Sequence, residues 1–345
     1  MLELDELGAR VGSPPWSLYR SEALDALRPD QDRDGFYVGM LKDDFQKQRY
    51  AYEVSLVPKG VELAVASEVL FALLNDFNHR GYDRDPATLV CDFAETLLEE
   101  SVHAKGMLLE LHSLPEEDFR VRSSRRSRPS DDSARQAESW PSLGLIPAWS
   151  VVRARSDVVQ VSVEAGRPAV VIPSRSILRL RLREPNRGIW RKTIRELRRV
   201  DDVKMIGADL KRFSWKGYVF SEQVAAQNLA VGATTARIGW DGRGTFSESV
   251  TSPYMAYRRL RFVRFWVEAI EDAVTFLSDV TGRHSLYGDS AFTFSLSGLP
   301  SPGDLDRAME DLRAGVLTVE EAHSRYLFPA HAKRRGGSED EAPDA

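Results

Sequence analysis

Apolar and polar positions alternate in two distinct rhythms along the chain. In "ELAVASEVLFALLNDF" the residues Val65, Val69, Leu70, Leu73, Leu74 and Phe77 recur at i, i+3, i+4 spacing, which places them on one face of a helix. A second helix is predicted in "LVCDFAETLLEESVHAKG", closed by Gly106, a suitable residue just past a helix end. Period-two alternation marks strands instead. It appears in "YAYEVSLV" (Tyr50 to Val57), "MLLELHSL", "LGLIPAWSVVRARS", "VVQVSVEAG" and "PAVVIPSRSILRLRLR", the last two separated by Gly166, Arg167 and Pro168. After Gly188 the rhythm returns to helical, with Ile189, Trp190, Ile194 and Leu197 as the apolar stripe of "IWRKTIRELRRV".

"KMIGADLKRFSWKGY" reads as a mixed loop. "FSEQVAAQNLAVGATTARIGW" reads as a helix with Ser221 as N-cap, followed by the loop "DGRGTFSES". The longest helix is predicted over "SPYMAYRRLRFVRFWVEAIEDAVTFLSDVTG", with Ser252 as cap, Pro253 in the first turn and Gly282 at the end. A short strand, "AFTFSLSGL", precedes two short helices in "GDLDRAMEDLRAG" and "TVEEAHSRYL". Gly315 separates these helices. Thr318 and Glu321 have the spacing of a capping box, so the second one restarts by design.

Composition narrows the function classes. With 42% hydrophobic and 29% charged residues, the 345-residue chain can bury a sizeable core. A net charge of −5 argues against a nucleic-acid-binding surface covering the whole molecule and leaves room for local basic patches. The acidic N-terminus lacks a signal-peptide pattern, and no apolar run reaches membrane-spanning length, so a cytosolic protein is expected. A single cysteine, Cys91, rules out a disulfide framework within the chain and is expected to be buried. "PEEDFRVRSSRRSRPSDDSARQAESWP" is charged and poor in large aliphatic residues, and is read as a flexible insertion. Its basic run, Arg122 to Arg128, is flanked by acidic residues and suits a solvated loop or a phosphate contact.

Candidate chemistry is sparse. "GWDGRGTF" (Gly239 to Phe246) lacks the Gly-Lys-Ser/Thr of a phosphate loop, so its glycines are assigned to a turn needing positive φ. His79, His103, His112, His284, His323 and His331 show no metal-ligand spacing. The pairs Glu99–Glu100, Glu116–Glu117 and Glu320–Glu321 are adjacent and do not face each other as acid/base dyads would. No catalytic residue, cofactor or metal site is assigned. The distinctive polar feature is arginine at regular spacing. Arg179, Arg181 and Arg183, with Arg175 upstream, alternate with Leu178, Leu180 and Leu182 on a strand; Arg258, Arg261 and Arg264 line one side of the long helix. These suit ion pairs across an interface, a solvated face or phosphate contact.

Taken in order, the segments resemble a bacteriophage portal protein, the ring through which double-stranded DNA enters and leaves a tailed-phage head. "PATLVCDFAETLLEESVHAKGMLLELH" is similar to that family's helix running into a glycine and a strand. The stretch from "LGLIPAW" to Gly188 is similar to its β-rich part, with Pro147, Gln160, Gly166, Ile177 to Leu182 and Gly188 at the corresponding places. "SEQVAAQNLAVGATTARIGW" resembles the helix before a glycine turn, "YRRLRFVRFWVEAIEDAVTFLSDVTG" the long C-terminal helix, and "AFTFSL…DLDRAMEDLRAGVLTVEEA" the closing strand, helix and glycine restart.

The resemblance implies an α+β, portal-like subunit with long stem and wing helices and a β-rich clip-like region. Its expected divisions are a loosely ordered N-terminal arm at 1–48, stem and wing helices with strands at 49–114, the flexible insertion at 115–142 and the clip-like region at 143–188. Stem and channel helices with their loop follow at 189–282, then a strand and two short helices at 283–328 and a charged tail at 329–345. It further implies a non-enzymatic, dodecameric ring in the virion at the capsid vertex, assembled in the host cytoplasm. The implied partners are double-stranded DNA, the large terminase, a head–tail connector or adaptor and the major capsid protein, with no membrane. Lys204, Lys211, Arg212 and Lys216 would lie nearest the DNA in the channel loop. Arg179, Arg181, Arg183, Arg258 and Arg261 would meet neighbouring subunits. The alternative is a non-enzymatic cytosolic adaptor or nucleic-acid-associated protein with a flexible basic loop.

Overall fold

The computed structural model describes residues 35–77, 85–103, 106–115, 139–154, 157–161, 169–172, 177–206, 220–242, 252–283 and 292–327. In chain order these hold helix α1 (Phe36–Lys47), strand β1 (Ser55–Lys59), α2 (Leu63–Leu73), α3 (Pro86–His103), β2 (Met107–Pro115) and β3 (Ser139–Ile146). Next come β4 (Val151–Ala154), β5 (Asp157–Gln160), β6 (Val170–Ile172), β7 (Ile177–Leu180), α4 (Asn186–Ile206) and α5 (Phe220–Thr235). The chain continues with α6 (Pro253–Arg283), β8 (Thr293–Ser297), α7 (Pro302–Ala314) and α8 (Val319–Ala322). The class is α+β, as expected. The chain divides into two compact units, each assembled from segments far apart in sequence.

The first unit comprises 1–30, 55–182 and 270–297. Its strands form three antiparallel sheets: β1–β8, β3–β2–β7 and β4–β5–β6. Leu108, Ile146 and Ile177 of the second sheet meet Val158 and Ile172 of the third in one buried cluster. The helices supply the rest of this core. Leu70, Leu73, Leu74 and Phe77 are fully buried, as the stripe predicts, and Phe77 meets Phe93 edge-on at 4.9 Å. Cys91 is buried on α3. The turn from α3 into β2 uses Gly106 at φ 144°, and a Cβ there would strike the backbone oxygen of Leu180. Most of the expected insertion, 116–138, lies outside the described residues. Its ends do not: Pro115 and Ser139 are directly paired, so β2 and β3 are the arms of one hairpin.

The second unit comprises 31–54, 183–269 and 298–345. Its centre is aromatic. The Phe45 ring lies 6.2–6.5 Å from those of Trp190, Phe262, Phe265 and Trp266, and Trp190 stacks on Phe265 at 5.6 Å. Each such ring, once buried, contributes about 1.5–3 kcal/mol of transfer free energy. Phe45 belongs to α1, so residues 36–47 of the expected loose arm form a helix whose Tyr37, Val38, Leu41 and Phe45 are buried. Gly35 offers no side chain to cap α1. Asp201 of α4 takes that part, accepting the Tyr37 N–H at 3.1 Å.

Several boundaries differ from the sequence reading. Tyr50 and Ala51 lie in a 3₁₀ turn, and the strand begins only at Ser55. Tyr52 itself is extended (φ −127°, ψ 144°) but precedes the β1–β8 ladder, which starts at Ser55; its ring stacks on Trp266 at 5.5 Å and its hydroxyl donates to the Tyr326 carbonyl. Ser221 lies inside α5, not at its cap. Gly282 lies within α6, which runs to Arg283. The C-terminal pair is as expected. Ser301 caps α7, Gly315 ends it at φ 71°, and the Thr318–Glu321 capping box is present in both halves.

Candidate functional site

The arginines expected to contact other molecules fall into two groups. On β7 and just beyond it, Arg179 and Arg181 are exposed while Leu180 and Leu182 are buried, so the predicted alternation holds there. At the start of the strand it does not: Ile177, on the same face as Arg179, is buried, and Leu178, on the face of Leu180, is half-buried. β7 is an edge strand of its sheet. Charged side chains on an edge discourage unwanted strand pairing and leave guanidinium groups available to a specific partner. Arg183 is half-buried and belongs to the second unit.

The helical arginines are committed within the subunit. Arg258 on α6 is 7% exposed. Its Nη2 donates to the Gly232 carbonyl at 3.1 Å, to Thr235 Oγ1 at 3.1 Å and to the Trp240 carbonyl. Its guanidinium also lies 5.9 Å from the Tyr254 ring. The Gly232 carbonyl needs this donor, because the Ala236 N–H turns to Ala233. Arg261 repeats the arrangement one turn on, donating from Nη1 to the Ala236 carbonyl at 3.1 Å. Both cations sit at the C-terminal end of α5, where the helix dipole is negative. The subunit-interface role expected of Arg258 therefore gives way to an internal one: its guanidinium caps a neighbouring helix.

The turn after α5 explains why this contact is close. Gly239 has φ 84°, and a Cβ on it would strike the Arg258 carbonyl and lie 2.7 Å from the Phe262 amide nitrogen. Gly242 has φ 73°. The glycines of "GWDGRG" thus serve backbone geometry, as the sequence suggests.

Further ionic links fix α6 against α4 and α7. Glu268, buried, accepts from Asn186 Nδ2 at 2.7 Å and from Arg264 Nη1 at 3.0 Å. Arg264 Nε lies 2.7 Å from Asp306. Arg259 pairs with Asp241 at 3.2 Å. Near this pair, burial and the Arg259 guanidinium hold the His323 imidazole below its ordinary range, with Glu320 opposing. The Glu321 carboxyl is lowered because it accepts from the Thr318 backbone and hydroxyl.

Of the expected channel residues, Lys211, Arg212 and Lys216 lie outside the described residues. Lys204 lies on α4 and not in a loop, since that helix runs to Ile206. Two further polar residues escaped the sequence reading, Tyr257 on α6 and Arg313 on α7. Tyr257 lies one turn before Arg261, a spacing visible in sequence, whereas nothing local ties Arg313 to either. Among the described residues no His/Cys/Asp/Glu group is arranged to hold a metal, and no helix is long and apolar enough to cross a membrane. No family model, curated protein or solved structure matches the chain.

Proposed function

We propose that the chain is a structural, non-catalytic subunit of a portal ring, a homo-oligomer through which double-stranded DNA passes at a capsid vertex. The observation that carries this reading is the order of elements. A helix closes on a positive-φ glycine turn, a 31-residue helix follows, and then come a strand, a helix, a glycine break and a capping-box restart. Arg179 and Arg181, exposed on an edge strand, suit ion pairs with a neighbouring copy. A net charge of −5 suits a passage that does not retain the phosphate backbone. In this reading the terminase, the head–tail connector and the capsid protein are the other partners.

Light scattering and negative-stain imaging of the purified chain test it. The expected result is annular particles with a mass of roughly twelve chains of 38.8 kDa. A monomer at every salt concentration, with no annular particles, overturns it and favours the adaptor reading. That second reading draws on the basic run Arg122–Arg128, which the sequence places between the paired ends of β2 and β3.

A further inference from the structure

Tyr257 gathers two guanidinium groups around one phenolic oxygen. Arg261 donates to it from Nη2 at 2.7 Å and lies 5.0 Å from the ring centroid. Arg313, in the last turn of α7, donates from Nη2 at 2.9 Å and lies 4.5 Å from the centroid. The two donor nitrogens are therefore no more than two hydrogen-bond lengths apart. Arg313 is exposed, and Arg261 and Tyr257 are half-buried.

No carboxylate neutralises this pair among the described residues. Of the acids on nearby elements, Asp241 pairs with Arg259, Glu268 and Asp306 with Arg264, and Glu321 with Thr318 and Arg325, while Glu310 and Asp311 on α7 and Glu320 on α8 form no ion pair with either guanidinium. The carbonyl end of α5 balances part of the Arg261 charge and that of α7 part of the Arg313 charge, but both ends carry only partial charges. The phenol adds a directional constraint. Its oxygen has two lone pairs and one proton, and the two guanidinium groups occupy both lone pairs. What remains is an O–H donor with no acceptor among the described residues. Two cations and a hydroxyl donor thus meet at one phenolic oxygen, with the Arg313 side exposed to solvent.

We propose that Tyr257, Arg261 and Arg313 form a binding site for a phosphate group. Phosphate offers three oxygens and up to two negative charges, matching two guanidinium groups and one hydroxyl. A carboxylate offers two oxygens and one charge, and leaves a donor unmatched. The site stands on this geometry whether or not the chain forms a ring. A free or terminal phosphate meets all three donors, whereas a nucleic-acid backbone diester, with two free oxygens and one charge, meets two of them, and the two titrations below distinguish these sources.

Calorimetric titration of the full chain with inorganic phosphate, and separately with a short DNA duplex at low salt, tests the proposal. Wild-type chain is expected to bind phosphate at one site. Arg313→Ala, at an exposed position, is expected to weaken binding about tenfold or more. Tyr257→Phe, which keeps the ring and loses the hydroxyl, is expected to weaken it about fivefold to tenfold. Arg199→Ala, an exposed arginine paired with Glu196, serves as the control and leaves binding unchanged. Circular dichroism confirms that each variant is folded. Duplex binding that falls in Arg313→Ala assigns the phosphate to a nucleic-acid backbone; duplex binding that does not, with phosphate binding lost, assigns it to a small ligand. A wild-type chain that binds neither probe overturns the site, as does equal binding by both site variants and wild type.

Discussion

Replacing Arg258 by methionine tests the capping argument at its centre. The substitution keeps an unbranched side chain of similar length in the same buried slot and removes the guanidinium. The Trp240 carbonyl retains one partner, because Thr235 Oγ1 lies 2.6 Å from it. The Gly232 carbonyl retains none, since the Ala236 N–H is turned to Ala233. A buried acceptor left without a donor costs about 1–3 kcal/mol, and a hydrogen bond to a charged donor contributes about 1.5–3 kcal/mol. Relief from burying the guanidinium offsets part of this, so a net loss of about 3 kcal/mol is expected. With a urea slope of about 2 kcal/mol per molar, the unfolding midpoint should fall by about 1.5 M at constant slope. Urea titration followed by tryptophan fluorescence reads this directly, because Trp240 sits in the affected turn. Arg258→Lys, which keeps the charge but not the planar fork, should fall between the two. A midpoint shift in Arg258→Met below about 0.3 M would refute the claim that this guanidinium holds the end of α5.

Two other outcomes follow from the second unit. Asp201→Ala removes the anion at the start of α1 and should cost about 1–2 kcal/mol, read as a lower melting temperature, while Asp201→Asn keeps an acceptor and should cost less. His323 is held neutral by burial and Arg259. Its folded-state pKa is below its unfolded one, so its contribution is fully present above about pH 6.5 and is lost as pH falls through the folded value. Melting temperature between pH 7.5 and 5 should therefore fall more steeply in wild type than in His323→Gln, and equal slopes would contradict the assignment.

What was legible in the sequence was what short-range geometry decides. The α2 stripe, the Gly106 turn, the Gly315 break and the Thr318–Glu321 box each depend on residues within a turn or two of one another, and each appears where the pattern places it. The strand expected from Tyr50 starts only at Ser55, where pairing with β8 begins, and that partner strand lies 242 residues further along the chain, out of reach of any local pattern. The caps of α1 and α5 were invisible for the same reason. Asp201 and Arg258 look like ordinary surface charges until the fold brings a helix end to them. The regular arginine spacing on α6 was real but misleading: period alone does not say whether a guanidinium faces a partner molecule or the carbonyls of its own chain. Tyr257 and Arg313 show the converse, since their meeting depends on how α6 packs on α7.

The direct pairing of Pro115 with Ser139 has a practical corollary. Twenty-three residues leave one rung of a ladder and return to the same rung, so the strands on either side are already joined without them. Chain-closure entropy rises only slowly with length. A fluorescent module or affinity tag exchanged into that span, or a two-residue turn in its place, should therefore leave the β2–β3 register as it is, giving a handle for labelling the chain at a defined point.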